Sequence, residues 1–406
     1  MDIIEVLLWS SLGLLATFYF IYYTLMMHES RKPDNIRKEK RYPTLSLLIP
    51  TYNEESVIRR KLSNVENLDY PKEKLEVIVV DSASTDSTQQ LVQSFIEKTS
   101  AQFQLIVQPE RLGKASALNC AVQYCHGDIV LMTDADAILE KNALKKIAEN
   151  FNDPNVGAAT GRLFILNADQ SSATKLEKSY RGIYEIIRLG ESKMDSTLIF
   201  NGPITAFRRQ LFDELKPDTV TDDIELCIKI RKKGYRAVYD PEAIAYEYTP
   251  ISLRSRMHQK TRRAQGAIQS IIRHKGILFN RRYGKYGFVI FPCELFMHLI
   301  SPILLLFLTL LVTVVTLRDQ ALTLLLMGTV IILVGAMALF SFVLQTLMPD
   351  REMVINPLAV LITFFSLQIS LIFGFSALLL RKKSYRWQKI EDVRVGKMVE
   401  ENTSVS

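Results

Sequence analysis

Asp134-Ala135-Asp136 follows the apolar run Ile129-Val130-Leu131-Met132. Two carboxylates therefore stand at the carboxyl end of an expected buried strand, where open α/β sheets bind their ligands. A hard divalent cation, Mg2+ or Mn2+, takes oxygen ligands and leaves room for phosphate oxygens, so one or two close carboxylates suffice to dock it. The pattern reads as a handle for a metal diphosphate. Alone it fits a solvated turn equally well, and its meaning comes from what accompanies it. Lys114 follows Gly113 at an expected helix start, where backbone N–H groups favour anions; it is either a phosphate contact or an ordinary surface lysine. Asp81 ends another apolar run and either faces a ligand or caps the next helix. Thr221-Asp222-Asp223 opens a further helix. A carboxylate there can take the proton of an attacking hydroxyl, or simply favour the helix dipole behind a Thr221 cap.

The elements that must position these groups lie in residues 43–250, where short apolar runs alternate with helical patterns. That alternation predicts an α/β domain with a mostly parallel sheet flanked by helices. Leu45–Ile49, Leu75–Val80, Gln104–Val107 and Ile129–Met132 are the expected strands. Helices are expected after Glu54 to about Leu68, from Gly113-Lys114 to Tyr124, and from Thr221 to Lys233, stopping at Gly234. Asn53, Glu54, Asp81, Lys114, Asp134 and Asp136 all fall where strands give way to loops or helices, so a parallel sheet would gather them at one edge.

The chain has 406 residues and a hydrophobic fraction of 48%, high enough that part of it belongs in a bilayer. Residues 1–28 form an expected transmembrane helix, with Trp9 near one end and Tyr19, Tyr22 and Tyr23 near the other as interfacial anchors. Asp2 and Glu5 replace the basic start of a cleavable signal, and no small-residue cleavage site follows. Residues 29–42 carry Arg31, Lys32, Arg37, Lys38, Lys40 and Arg41. The positive-inside rule then puts the middle domain in the cytosol of a multi-pass cell-membrane protein. Such clusters account for much of the +7 net charge, and no nucleic-acid partner is expected.

Residues 251–287 alternate Leu253, Met257, Ala264, Ile268, Ile271 and Ile272 with basic side chains. This is either an amphipathic helix lying on the bilayer or a core-packed helix with a charged outer face. Residues 288–380 hold three apolar stretches, 288–317, 321–348 and 357–380, and 381–406 form a polar tail. Three spans would leave Arg381, Lys382, Lys383, Arg386 and Lys389 outside, against the same rule. The expected resolution is that 288–317, interrupted by Pro292, Glu294, His298 and Pro302, lies at the interface or re-enters. Cys120, Cys125, Cys227 and Cys293 make no Cys-x-x-Cys pair and read as reduced, and the five histidines lack ligand spacing, so no zinc site is expected.

From about Pro43 to Gly276 the chain resembles membrane-bound family 2 glycosyltransferases of the GT-A fold, the group that includes cellulose, chitin, hyaluronan and poly-N-acetylglucosamine synthases. The resemblance rests on Pro50-Thr51-Tyr52-Asn53-Glu54, Val80-Asp81 through Ser84-Thr85-Asp86, Gly113-Lys114 through Asn119, Thr133-Asp134-Ala135-Asp136, Thr221-Asp222-Asp223 and Gln259-Lys260-Thr261-Arg262-Arg263, in the family's order. It implies that Thr51, Asn53, Glu54 and Asp81 line a nucleotide pocket, Asp81 meeting uracil, and that Lys114 meets the diphosphate. It further implies that Asp136 and Asp134 hold the metal, Asp223 is the base, and Asp222, Gln259, Arg262 and Arg263 contact diphosphate or acceptor. Asn201 to Arg209 takes the place of an acceptor-side loop.

The implied activity is inverting transfer of a sugar, UDP-linked, to a lipid-linked or glycan acceptor at the cytosolic membrane face. A processive synthase extruding its polymer through the C-terminal segments is the alternative, and a non-catalytic membrane scaffold a third reading that the intact carboxylates oppose. Two departures bear on this choice. Thr221-Asp222-Asp223 stands where the family has Thr-Glu-Asp, which keeps the base position. Arg263 stands where processive members carry a Trp, and a guanidinium offers a pyranose no comparable apolar platform.

Overall fold

The computed structural model describes residues 2–318 and 357–380, with scattered positions between 320 and 339. Among the described residues the strands form one eight-stranded sheet. They are β1 (Leu45–Thr51), β2 (Leu75–Asp81), β3 (Phe103–Val107), β4 (Ile129–Met132), β5 (Ile138–Leu139), β6 (Val156–Ile165), β7 (Thr205–Arg208) and β8 (Arg236–Glu247), in the order β3-β2-β1-β4-β7-β6-β8-β5. β1 runs parallel to both β2 and β4, whereas β7 runs antiparallel to β4 and β6. The sheet is therefore mixed, parallel in its first half.

Strand side chains explain why the parallel half reads as unbroken apolar runs. Leu47, Ile49, Val77, Val79, Ile129 and Leu131 enter one core cluster, while Leu48, Ile78, Val80, Val130 and Met132 enter the other. Successive residues point to opposite faces, and both faces are covered by helices. α2 (Ile58–Glu66) and α5 (Ala143–Glu149) cover the first face; α4 (Lys114–Val122) and α7 (Asp222–Lys232) cover the second. Each fully buried Leu, Val or Ile contributes about 1.5–3 kcal/mol, so this double-sided core holds the strand ends in register. α3 (Thr88–Ile96) follows β2.

Three helices are long and apolar enough to cross a membrane: α1 (Ile3–Ser30), α9 (Tyr286–Arg318) and α10, whose apolar part is Ala359–Leu379. The expected apolar stretch 321–348 lies largely outside the described residues, and the tail 381–406 wholly so. The sequence predicts a broken or re-entrant segment around Pro292 and Pro302, and the structure instead keeps one continuous helix of 33 residues. Proline removes an N–H and clashes with the carbonyl four residues back. Here the strain is absorbed by two π-helical turns, Tyr286–Ile290 and Phe296–Ile300, each ending just before a proline turn. At 1.5 Å per residue α9 is about 50 Å long, well beyond the roughly 30 Å hydrocarbon core. The excess has a use inside the protein: Tyr286, Ile290 and Phe291 are fully buried with Leu198, Ile228 and Ile271. Farther along, Ile303, Leu306, Leu310 and Leu317 are exposed.

α6 (Ser172–Met194) and α8 (Leu253–Arg273) join the sheet to these long helices. α1 packs on α6 and α9 through Tyr22, Met26, Ile187 and Met297, and α8 packs on α10 through Ala264, Ile268 and Leu371. The basic side chains of α8 divide between two environments. Arg254 and His258 are exposed, whereas Arg256 and Lys260 are buried against Glu177 of α6, at 3.3 Å and 2.8 Å. Arg181 approaches the same carboxylate at 3.4 Å. Burial alone would neutralise Glu177, but Lys260 and the two arginines outweigh it and hold the carboxyl far below its ordinary range. Removing one member of a buried ion cluster leaves uncompensated charge, typically costing about 3–5 kcal/mol. Glu177→Gln is therefore expected to lower stability by about that much, read as a lower unfolding temperature of the purified protein; an unchanged value would show that water already screens these cations.

Candidate active site

The site is assembled at the crevice where β1 has β2 on one side and β4 on the other, the reversal of strand order at which open sheets leave room for a ligand. Thr51 lies opposite Asp81 in the β1–β2 register, so both end at the same sheet edge. Past β4, Asp134 and Asp136 are partly exposed while Ala135 and Ala137 between and after them are buried. The alternation turns both carboxylates to one side.

Lys61 holds this loop from below. It is 1% exposed, and its ammonium donates to Thr133 Oγ1 at 2.7 Å and to the Ala137 carbonyl at 2.9 Å, bracketing the carboxylate pair. Burial pushes its pKa down to about 7, against the pull of Asp134 and Asp136. Its signal in the sequence is its spacing alone: Ile58, Lys61, Leu62 and Val65 are the buried face of α2, and a lysine there occupies an apolar position. Lys61→Met is expected to orphan two buried acceptors, lowering stability by about 1–3 kcal/mol. It should also weaken metal-dependent nucleotide binding about 10–100-fold, as loss of a supporting partner does at metal sites. Calorimetric titration with a nucleoside diphosphate and Mn2+ checks this, and wild-type affinity would refute the bracketing role.

Gly113 adopts φ 96°, a left-handed conformation natural only to glycine, and so starts α4 with Lys114 aimed at the crevice. The Lys114 ammonium lies 2.9 Å from Asp134 Oδ1 and 3.4 Å from Asp222 Oδ2. Burial disfavours both charges, but the pairing prevails: Asp134 is held below its ordinary range chiefly by Lys114, and Lys114 is held above its own by Asp134 and Asp222.

Asp223 sits in the first turn of α7, where its Oδ1 accepts the Ile224 N–H at 2.9 Å. Thr221 makes no side-chain cap bond, so its capping role is absent here. Burial, reinforced by the neighbouring Asp222 carboxylate and opposed by Lys114, raises the Asp223 pKa to about 6. Gly202 shows how close these groups come. A β-carbon there would lie 3.5 Å from Asp223 Oδ2, 3.9 Å from Asp134 Oδ2 and 3.9 Å from the Lys114 ammonium.

One cavity is lined by Thr51, Glu54, Lys114, Asp134, Asp136, Asp222, Asp223, Arg262 and Arg263. Asn53, Asp81 and Gln259 are not on its lining. Asn53 joins the loops after β1 and β2, its Oδ1 accepting the Thr85 N–H at 2.7 Å. Asp81 is fully buried, and its oxygens accept from Ser84, Gln89 and Thr51. The Oε1 of Gln259 is buried and unbonded. Two further groups, which no motif marks individually, join the lining: Tyr52, with the Arg111 guanidinium 3.8 Å from its ring centroid, and the α6 face carrying Tyr180, Tyr184 and Arg188.

For a divalent metal, the donor set on this cavity is two adjacent carboxylates, Asp134 and Asp136. Among the described residues no cluster of three His, Cys, Asp or Glu could hold one unaided. Two carboxylates suit a hard cation whose remaining positions are filled by diphosphate oxygens and water.

Residues 46–216 match the family described as Glycosyl transferase family 2. The chain is 32% identical over 248 residues to the probable glycosyltransferase YdaM of Bacillus subtilis, covering 59% of either protein. It is 28% identical over 264 residues to the poly-beta-1,6-N-acetyl-D-glucosamine synthase of Staphylococcus aureus, covering 64% of this chain and 63% of that one. The match thus spans less than two thirds of either relative. Among solved structures, the mannosyltransferase PcManGT from Pyrobaculum calidifontis, in complex with GDP-Man and Mn2+, superposes with TM-score 0.75 and 28% identity over 94% of this chain and 100% of that one. Residues 46–216 are thus similar to a family 2 glycosyltransferase domain, and the sheet that carries them is shared with a solved glycosyltransferase of the GT-A fold.

Proposed function

We propose that the protein is a metal-dependent inverting glycosyltransferase, moving a sugar from a nucleotide-sugar donor to a lipid-linked or glycan acceptor at the cytosolic membrane face. The observation that carries this reading is the convergence of Asp223, Asp134 and Lys114 around Gly202. Lys114 and Arg262 bind the donor diphosphate and Asp134 with Asp136 hold the cation, which when bound supplies positive charge to the leaving phosphates. Asp223 takes the proton of the acceptor hydroxyl as its oxygen bonds to the anomeric carbon. The bond from that carbon to the diphosphate oxygen breaks on the opposite side, which inverts the centre.

The family resemblance implies a UDP donor with Asp81 meeting the uracil, and in the structure the oxygens of Asp81 accept from Ser84, Gln89 and Thr51. The Tyr52–Arg111 pair is a better seat for a base, since it offers a stacking face to any base. PcManGT was solved with a guanosine donor. Incubating the full-length protein with UDP- and GDP-sugars and Mn2+, and following nucleoside diphosphate release, tests the assignment. Turnover of one class is expected; turnover of none, by protein that folds and binds no nucleoside diphosphate, refutes it.

Processive synthesis is the second reading, supported by the likeness to the poly-beta-1,6-N-acetyl-D-glucosamine synthase. Arg263 on the cavity in place of a Trp favours single transfer. A product one sugar longer than the acceptor is the expected result, and a long ladder would reverse the choice.

A further inference from the structure

The cavity does not end at Asp223. It continues past α6 and α8 to Leu367, Ser370 and Leu371 of α10 and His298 of α9, helices of membrane-spanning length. Outward from the same stretch of α10, Phe365, Ile369 and Phe373 are 44%, 44% and 54% exposed, as expected of side chains that meet lipid. One open volume thus runs from the metal-binding carboxylates to the membrane layer.

Charge along this volume is not balanced. Arg181 and Lys260 are paired with buried carboxylates, and Lys114 with Asp134 and Asp222. Arg188, Arg262 and Arg263 also line the cavity, and none of them forms an ion pair among the described residues. Arg188 is 7% exposed; its Nε donates to the Ile199 carbonyl at 2.8 Å, which leaves the two terminal nitrogens of the fork for the cavity. A buried guanidinium without an anion is costly, and its geometry matches phosphate oxygens. The donor diphosphate accounts for Lys114 and Arg262; burial disfavours the Arg263 charge, but Glu247 with Glu177 answer it and hold its pKa above the ordinary range. Arg188 remains, and a neutral glycan would leave it unanswered. Beside it Tyr180 and Tyr184 stand with ring centroids 4.5 Å apart, a surface against which a sugar ring can lie.

We propose that the acceptor is a lipid-linked sugar whose phosphate or diphosphate is held by Arg188, with its hydrocarbon tail leaving along α10 past Leu367 and Leu371. This rests on the glycosyltransferase reading and names its acceptor class. Asp223 supports a sugar hydroxyl, not the phosphate itself, as the nucleophile: a phosphate oxygen is already anionic and needs no base, whereas a hydroxyl does. In the step, the hydroxyl proton passes to Asp223, the hydroxyl oxygen bonds to the donor's anomeric carbon, and the nucleoside diphosphate departs with the electrons of the broken bond. The linkage between acceptor sugar and lipid stays intact.

The test uses the full-length protein in detergent, saturated with nucleoside diphosphate and Mn2+ so that the donor subsite is filled. The probe is a fluorescent long-chain prenyl diphosphate, compared with the same prenol lacking its phosphates, and with inorganic diphosphate as competitor. The prenyl diphosphate is expected to bind at least about tenfold more tightly than the prenol, as charge-assisted bonds to guanidinium require. Arg188→Met should remove that advantage without changing prenol binding, and Arg188→Lys should restore part of it. If Arg188→Met does not fold, Arg188→Gln carries the same comparison. Equal binding of the two lipids, an advantage that survives in every folded variant, or inorganic diphosphate competing as well as the lipid would each overturn the proposal. Failure of the wild type to bind nucleoside diphosphate with Mn2+ would instead remove the glycosyltransferase reading, so the two failures are told apart.

Discussion

Asp223→Asn is expected to lower kcat by about 100- to 10,000-fold, the contribution of a positioned general base, while nucleoside diphosphate binding in Mn2+ stays near wild type. The substitution keeps shape and hydrogen-bonding size but cannot accept the hydroxyl proton. Its position permits this separation, because Asp223 approaches the Asp134–Lys114 pair without being bonded to either. The same residue sets a pH profile. Burial and the Asp222 carboxylate raise its pKa to about 6. Only the deprotonated form can act, so activity should be full above that value and fall as pH drops through it, about tenfold per unit. Single-turnover rates of wild type and Asp223→Asn between acidic and neutral pH check both statements. Full activity in a folded Asp223→Asn protein would remove the base assignment, and a flat acidic limb would remove its titration.

Asp136→Ala is expected to act on binding. With two carboxylates on the cavity to hold the cation, loss of one should weaken Mn2+-dependent nucleotide binding by about 100-fold or more, beyond the effect of losing a supporting partner. The signature is that added Mn2+ no longer tightens the nucleoside diphosphate, while affinity measured with chelator is unchanged. Titration calorimetry at several Mn2+ concentrations reads this directly. Should the variant respond to Mn2+ as wild type does, the cation sits elsewhere. Asp134→Ala would be a less clean probe, because it would also release Lys114 from its ion pair.

Much of this protein could be read from local pattern. The apolar runs before Asp81 and Asp134 are buried strands covered on both faces, and residues just beyond a strand are carried to the sheet edge by the chain itself. Gly113 and Lys114 likewise act within a few residues, through one backbone angle and one helix start. The first span and the last apolar segment announced themselves by length and composition. What these features share is that neighbours in sequence decide them.

Other assignments depended on partners far along the chain. Lys260 reads as one of many surface cations of an amphipathic helix, yet it is buried because Glu177, 83 residues earlier, is there to receive it. Asp81 reads as a ligand contact or a helix cap, and only the fold brings Thr51 and Gln89 to its carboxylate. Pro292 and Pro302 suggest a break in α9, but its first turns are buried by Leu198, Ile228 and Ile271, and that packing favours two widened turns over a lost helix. Lys61 and Arg188 gain their places beside the carboxylates and on the cavity lining in the same way. The sequence by itself determined which residues can do chemistry and the strand ends that carry them, since backbone geometry and hydrophobic period act at short range. Only the tertiary structure decided which charges are answered from within the protein and which are left for a ligand, because that balance is struck between elements that meet only when the chain folds.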